Sequence, residues 1–211
     1  MHFAPLGDSA VLITVGTTID REVSRRVHAL TDAVTRERLP GVTDVVPAYV
    51  SFAVHFDPSA VDEGELTAKL RELIRSPAPA QQSGERRLVT IPVSYDGPDL
   101  PLVAEACGLS VAEVVARHSR VEYFVYMLGF APGFAYLGDL DPSLRMPRRG
   151  SPRTRVPAGA VAIAGSQTAV YPHDTPGGWR LIGTAGVAMF DASRDQPSLL
   201  RAGDRVKFEV S

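Results

Sequence analysis

Ala160-Val-Ala-Ile-Ala-Gly-Ser-Gln-Thr-Ala-Val-Tyr171 holds two short apolar runs, Ala160 to Ile163 and Thr168 to Tyr171, parted by a Gly-Ser-Gln turn. Each run is too short for a helix and suits a strand. Working outward, Leu181 to Ile182, Val187 to Phe190 and Arg205 to Val210 repeat that pattern, and upstream Leu88 to Val93 and Val121 to Leu128 do the same. Closely spaced short strands between Gly/Pro turns predict an all-β barrel or sandwich with long, ordered loops. Two short helices are expected inside it, Leu100 to Cys107 and Val111 to His118, the second opened by a Ser110-x-x-Glu113 capping box.

The first 75 residues read differently. Ala10 to Val15 is a strand-length apolar run. Ile19, Val23, Val27, Leu30 and Val34 form the stripe of an amphipathic helix that Pro40-Gly41 stops. Val42 to Phe56 is rich in β-branched and aromatic residues, and Pro47 is expected to break it into two strand pieces or an edge. Ser59 and Asp62 signal a helix start, with Leu66, Leu70 and Leu73 as its stripe. The order strand, helix, strand, strand, helix predicts a small α+β domain. Ser76 to Glu85 is small, polar and proline-containing, the composition of an exposed linker. The expected organisation is an α/β domain over 1–78, a linker over 79–86 and a barrel over 87–211.

Composition narrows the class. A net charge of −2 with 45% hydrophobic residues is ordinary for a globular chain and argues against a nucleic-acid binder. No apolar run is long enough to span a bilayer, and Met1-His2-Phe3-Ala4-Pro5 shows no signal-peptide pattern, so a cytoplasmic protein is expected. The single Cys107 excludes an intrachain disulfide, and no histidine has a ligand-spaced partner, so no metal site is expected. Gly and Pro are concentrated: Gly129 to Gly186 holds 10 Gly and 7 Pro in 58 residues. Within it, no acid lies between Asp141 and Asp174, while Arg145, Arg148, Arg149, Arg153 and Arg155 all do. Chemistry is therefore sought in this block.

Three segments qualify. Gly129 to Gly138 places Phe130, Phe134 and Tyr136 among glycines, either as an aromatic wall or as plugs of a barrel corner. Pro147 to Pro157 is a proline-stiffened arginine loop. Arg148, Arg153 and Arg155 suit a carboxylate or phosphate, and the alternative is a solvated basic loop or one paired with acids elsewhere or on a partner chain. Gln167 and Thr168 offer neutral groups suited to an amide, and Trp179 follows two glycines as pocket wall or core anchor. His173 beside Asp174 is a candidate general base with its carboxylate, although neighbours in an extended chain face opposite ways. No complete catalytic constellation emerges, which points to a binding module or half of a shared site.

Tyr126-Met-Leu-Gly-Phe-Ala-Pro-Gly-Phe-Ala-Tyr-Leu-Gly138, Pro152-Arg-Thr-Arg-Val-Pro-Ala-Gly159, Gly165-Ser-Gln-Thr168 and Pro176-Gly-Gly-Trp179 with Gly183 resemble the family of the 5-oxoprolinase B-type subunit. That family takes in the kinase-A inhibitor KipI and proteins labelled allophanate hydrolase subunit 1. Leu6 to Leu12 and Val45 to Tyr49 match as well, so the resemblance spans nearly the whole chain. Ala135 stands where the family often has proline, and Ala164 in a usually glycine-rich run.

The resemblance implies an α+β N-terminal domain followed by a cyclophilin-like β-barrel. It implies a hydrolase subunit that, with C-type and A-type subunits, opens the lactam of 5-oxo-L-proline to L-glutamate using ATP. The nucleotide, with magnesium, is expected at a site shared with the C-type subunit, with no biotin site and no activity alone. Related domains form the carboxyltransferase part of urea carboxylase. Two rivals stand beside this reading: an inhibitor that docks on a sensor histidine kinase through the barrel loops, and a scaffold for a partner's site.

Overall fold

The computed structural model describes residues 1–75 and 87–211, in two units, Met1–Arg86 and Arg87–Ser211. The expected linker at 79–86 lies outside the described residues.

In the first unit β1 (His2–Pro5), β2 (Ala10–Thr14), β3 (Val42–Pro47) and β4 (Ser51–Phe56) form an antiparallel sheet in the order β1-β2-β4-β3. Two helices, α1 (Arg21–Glu37) and α2 (Glu63–Arg75), bury their apolar stripes with it. Val11, Ile13, Phe52, Val54, Val27, Val34, Leu66 and Leu70 make the core. Burying a side chain such as Phe52 contributes roughly 1.5–3 kcal/mol. Pro47 does end β3, as its lost amide requires.

Two details differ from the sequence reading. The strand β1 was not expected: it is four residues long, ends in Pro5, and holds only as an edge paired to β2. Ile19 lies before α1 and is exposed, because the Asp20 side chain accepts the Val23 N–H at 2.8 Å and sets the helix start at Arg21.

The second unit contains β5 (Leu88–Ser94), α3 (Leu100–Cys107), α4 (Val111–Ser119), β6 (Glu122–Leu128) and β7 (Ala135–Gly138). A 3₁₀ turn at Pro142–Leu144 precedes β8 (Arg153–Val156), β9 (Ala160–Ala164), β10 (Gln167–Val170), β11 (Thr175–Gly177), β12 (Arg180–Ala185) and β13 (Arg205–Val210). Seven strands close into a barrel in the order β10-β7-β6-β13-β5-β12-β9. The β13–β5 pairing is parallel and the other pairings are antiparallel. Closure leaves the barrel without an open edge.

Every residue of β9 is buried. Val161 and Ile163 face the barrel interior with Ile91, Tyr123, Leu137 and Phe208. Ala160, Ala162 and Ala164 face outward under Phe134, Tyr171, Trp179 and Leu181. Alanine at alternate positions lets those large rings approach the barrel wall. The two-stranded β8–β11 sheet packs Val156 into that outer layer.

Val187 to Phe190, expected as a strand, is a loop. Phe190 makes only an isolated bridge to Ser198, and Met189 anchors the segment in the core. The barrel ring is complete without it. In the opposite direction, β7, β8 and β11 are strands that the sequence reading passed over. Charge, Pro and Gly lower their local β propensity, and cross-strand partners such as Thr175 opposite Val156 supply what propensity lacks.

Candidate functional site

Phe134 is the hub of the outer layer. It makes edge-on contacts with Phe130 (5.3 Å between centroids), Tyr136 (5.0 Å), Tyr171 (5.3 Å) and Trp179 (5.8 Å). Phe134 and Trp179 are buried, so both serve mainly as packing anchors. Phe130 is 63% exposed and holds a left-handed backbone (φ 70°), a conformation that an aromatic residue adopts at a cost. The Pro176–Trp179 strand end crosses directly over Tyr171. A Cβ at Gly177 would stand 2.4 Å from the Tyr171 hydroxyl, so only glycine fits there. Burial raises the Tyr171 pKa, opposed by the Trp179 backbone hydrogen bond and the Arg148 charge.

Arg145 is exposed ahead of the loop, and the other four arginines divide into three sets. Arg148 is exposed, sits 6.0 Å over the Trp179 ring, and among the described residues has no carboxylate partner. It also opposes the burial that raises the Tyr136 pKa. Arg149 and Arg153 both bind Asp99 Oδ1, at 3.3 and 2.8 Å. Arg155 binds Asp174 in an exposed pair with an Nε–Oδ2 distance of 2.8 Å. Exposed pairs of that kind contribute about 0–1 kcal/mol.

Asp99 is the residue that sequence reasoning missed. Its side chain is only 6% exposed, and its second oxygen accepts the Leu181 N–H at 2.7 Å. It precedes α3 at the N-cap position but makes no side-chain capping bond. A capping aspartate contributes about 1 kcal/mol, so both oxygens are spent elsewhere at a local cost. Burial raises the Asp99 pKa, yet the Arg153 and Leu181 hydrogen bonds and the Arg153 and Arg149 charges outweigh it and hold the carboxyl below its usual range. In sequence it reads as an ordinary helix start, so no local signal marks it.

Three sequence-based assignments change. Thr168, expected to read an amide, is fully buried: its hydroxyl donates to the Ala162 carbonyl at 3.0 Å and lies 2.9 Å from His118 Nε2. It belongs to the barrel interior because it follows Gln167, which starts β10 half-buried, and so takes the opposite face. His173 and Asp174 do not form a dyad. The Asp174 carboxylate accepts from Arg155 and the Ala158 N–H, which holds its pKa down, while the His173 ring meets Phe190 edge-on at 5.2 Å. The arginine loop is only in part a ligand-ready surface, since Arg153 and Arg155 already have acids. What comes together is Phe130, Phe134, Tyr136, Arg148 and Trp179.

Among the described residues no group of three or more His, Cys, Asp or Glu is arranged to hold a metal ion, and no helix is long and apolar enough to cross a membrane.

Comparison with known proteins gives a consistent result. The family described as carboxyltransferase domain, subdomain C and D, matches residues 1–200. A Bacillus subtilis (strain 168) protein named as the B-type subunit of 5-oxoprolinase is 43% identical over 96% of this chain and 90% of its own length. An Escherichia coli O157:H7 protein of the same name is 41% identical, covering 96% and 93%. Among solved structures, TTHA0988 superposes with a TM-score of 0.87 at 45% identity. That match covers 96% of this chain but 40% of the TTHA0988 chain, so this chain spans about two fifths of that protein.

Proposed function

Because the chain belongs to the carboxyltransferase subdomain C and D family, with close relatives named as the B-type subunit of 5-oxoprolinase, we propose that it fills that place in an ATP-dependent 5-oxoprolinase. The observation that carries this reading is the near-full-length match to proteins of that name.

A lactam resists hydrolysis because its nitrogen lone pair is delocalised into the carbonyl. Transfer of the ATP γ-phosphoryl group to the carbonyl oxygen releases ADP and activates the ring carbon. Water adds there, the ring C–N bond breaks with nitrogen taking a proton, and a second water cleaves the resulting acyl phosphate to glutamate and phosphate. This route requires cations near phosphate or carboxylate and neutral polar groups near the amide. Arg148 is the cation available for the first task, and Gln167 the neutral group for the second. Tyr136 and Trp179 exclude water beside Arg148. Arg153 supports the loop through Asp99, and Arg155 lies at its exposed end with Asp174. The magnesium–nucleotide half and the general base are assigned to the C-type subunit, because neither a cluster of acids nor a free His–Asp pair is available among the described residues.

The test is co-purification with the C-type and A-type subunits, followed by 5-oxoproline and ATP turnover. Turnover is expected only in the assembled complex and is expected to fall with Arg148→Gln. An assembled complex with no turnover, or one indifferent to Arg148→Gln, would overturn the assignment.

One observation favours a second reading. Phe130 is a strained, exposed aromatic at the loop tip, the kind of residue that anchors a protein interface. An inhibitor of a histidine kinase would use it that way. Kinase capture abolished by Phe130→Ala, in a chain that gives no 5-oxoproline turnover with the C-type and A-type subunits, would select that reading.

A further inference from the structure

Asp99 gives up the capping bond of its own helix and joins three segments distant in sequence: the start of α3, the arginine loop and β12. Local rules are broken in this way mostly at positions that serve function. The consequence falls on Arg148. Its chain neighbour Arg149 is fixed twice, by the Asp99 carboxylate at 3.3 Å and by its backbone N–H to the Gly178 carbonyl at 2.7 Å. Arg153, which begins β8 opposite Gly177, is fixed by the same carboxylate. Arg148 therefore projects from a segment tethered after it by Arg149 and Arg153 and before it by Met146, whose carbonyl accepts the Gly165 N–H at 2.8 Å. Trp179 follows Gly178, with the Arg148 guanidinium over its ring. One acid holding two guanidiniums leaves a positive excess at this surface, which an arriving oxyanion would neutralise.

We propose that Asp99 is a positioning residue for an oxyanion site: by clamping Arg149 and Arg153 it fixes Arg148 against Trp179, ready for a carboxylate or phosphate oxygen of the substrates. The inference rests on the function proposed above for the identity of those substrates, but the geometry it claims is testable without turnover.

Trp179 is the only tryptophan in the chain, so its fluorescence reports on this contact. A guanidinium held over the indole makes that emission respond to an oxyanion bound by it, so inorganic phosphate titrated into the full chain at low salt is expected to change the emission saturably, and Arg148→Gln to abolish the change. Asp99→Asn, which keeps the size and the acceptor for the Leu181 N–H but removes the negative charge, is expected to weaken phosphate binding about tenfold, whereas the added net positive charge alone would strengthen it. Asp99→Glu restores charge and should recover part of the loss. If Asp99→Asn does not fold, Arg149→Lys keeps the charge, loses the planar fork, and is expected to weaken phosphate binding in the same direction.

In the assembled complex, Asp99→Asn should raise KM by about tenfold, the worth of a charge-assisted hydrogen bond, with a much smaller change in kcat. A merely structural role would reduce the active fraction, and so kcat, while leaving KM alone. A rise confined to 5-oxoproline assigns the oxyanion as its carboxylate, and a rise confined to ATP assigns it as a phosphate. A folded Asp99→Asn chain that binds phosphate as tightly as the wild type overturns the proposal, as does an unchanged KM for both substrates. Weakened phosphate binding in the Asp99→Asn chain, with a wild-type complex that lacks turnover, would instead uphold the positioning role and remove the 5-oxoprolinase assignment.

Discussion

Inside the barrel, His118 Nε2 stands 2.9 Å from the Thr168 hydroxyl. That hydroxyl spends its one proton on the Ala162 carbonyl, so Nε2 must carry the imidazole proton and Nδ1 accepts from the Tyr95 hydroxyl at 2.7 Å. The neutral ring stacks on Phe208 with centroids 4.8 Å apart. An expected helix residue without a ligand partner is thus the centre of a buried polar chain linking Tyr95, just past β5, to α4, β10 and β9.

This arrangement makes stability depend on pH in a defined direction. Burial lowers the His118 pKa from 6.5 to about 3, so between those values the unfolded chain binds a proton that the folded barrel refuses. The stability contributed by the neutral ring is whole above pH 6.5 and is lost as pH falls toward 3. His118→Gln stays neutral throughout. Its deficit in Tm against the wild type is expected to shrink on moving from about pH 7.5 to about pH 4.5. An equal deficit at both would mean that the ring titrates normally.

The two acid-paired arginines should differ in stability effect. Arg153→Gln leaves Asp99 buried with a weaker set of donors and is expected to cost about 1–3 kcal/mol. Arg155→Gln loses an exposed pair and is expected to cost less than about 1 kcal/mol. Urea denaturation of both variants checks the order, and equal values would contradict the division of the loop into clamped and exposed parts.

Backbone approach fixes another contrast. A Cβ at Gly97 would meet the Ile182 carbonyl carbon at 2.4 Å and the Gly183 nitrogen at 2.5 Å, main-chain atoms that cannot swing aside. Gly97→Ala is expected to destabilise by about 1–3 kcal/mol through overpacking. Gly150 has nothing within 4 Å of such a Cβ, and Gly150→Ala should be close to neutral. Paired thermal melts distinguish them.

At the start of α4, Ser110 accepts the Glu113 N–H at 3.2 Å while Glu113 accepts the Ser110 N–H at 2.8 Å. Ser110→Ala should cost about 1 kcal/mol, and adding Glu113→Ala should cost less than the single changes summed, because both break one reciprocal unit. A strictly additive double variant would show that the two bonds act separately.

Much of this was legible beforehand. The helix stripes, the capping box, the Pro47 break and most barrel strands follow local periodicity and punctuation, which act over a few residues. The strands β7, β8 and β11 were not legible, because Arg153 or Pro176 lies in a strand only by virtue of a partner across the sheet. For the site, the aromatic and arginine residues could be named from their clustering, and Phe134, Tyr136, Arg148 and Trp179 do meet. Their roles could not be divided. Thr168 and Gln167 are chain neighbours with opposite fates because β10 sends one inward.

By itself the sequence determined an α+β unit followed by a strand-rich one, and a Gly/Pro-rich block in which five arginines meet no nearby acid. Only the tertiary structure decided which of those arginines are left to bind something. Asp99 and Asp174 reach Arg149, Arg153 and Arg155 through barrel closure and strand pairing, leaving Arg145 and Arg148, of which Arg148 lies over Trp179. The physical reason is that charge pairing depends on distance in space. The partner of Arg153 lies 54 residues away along the chain and 2.8 Å away in the fold.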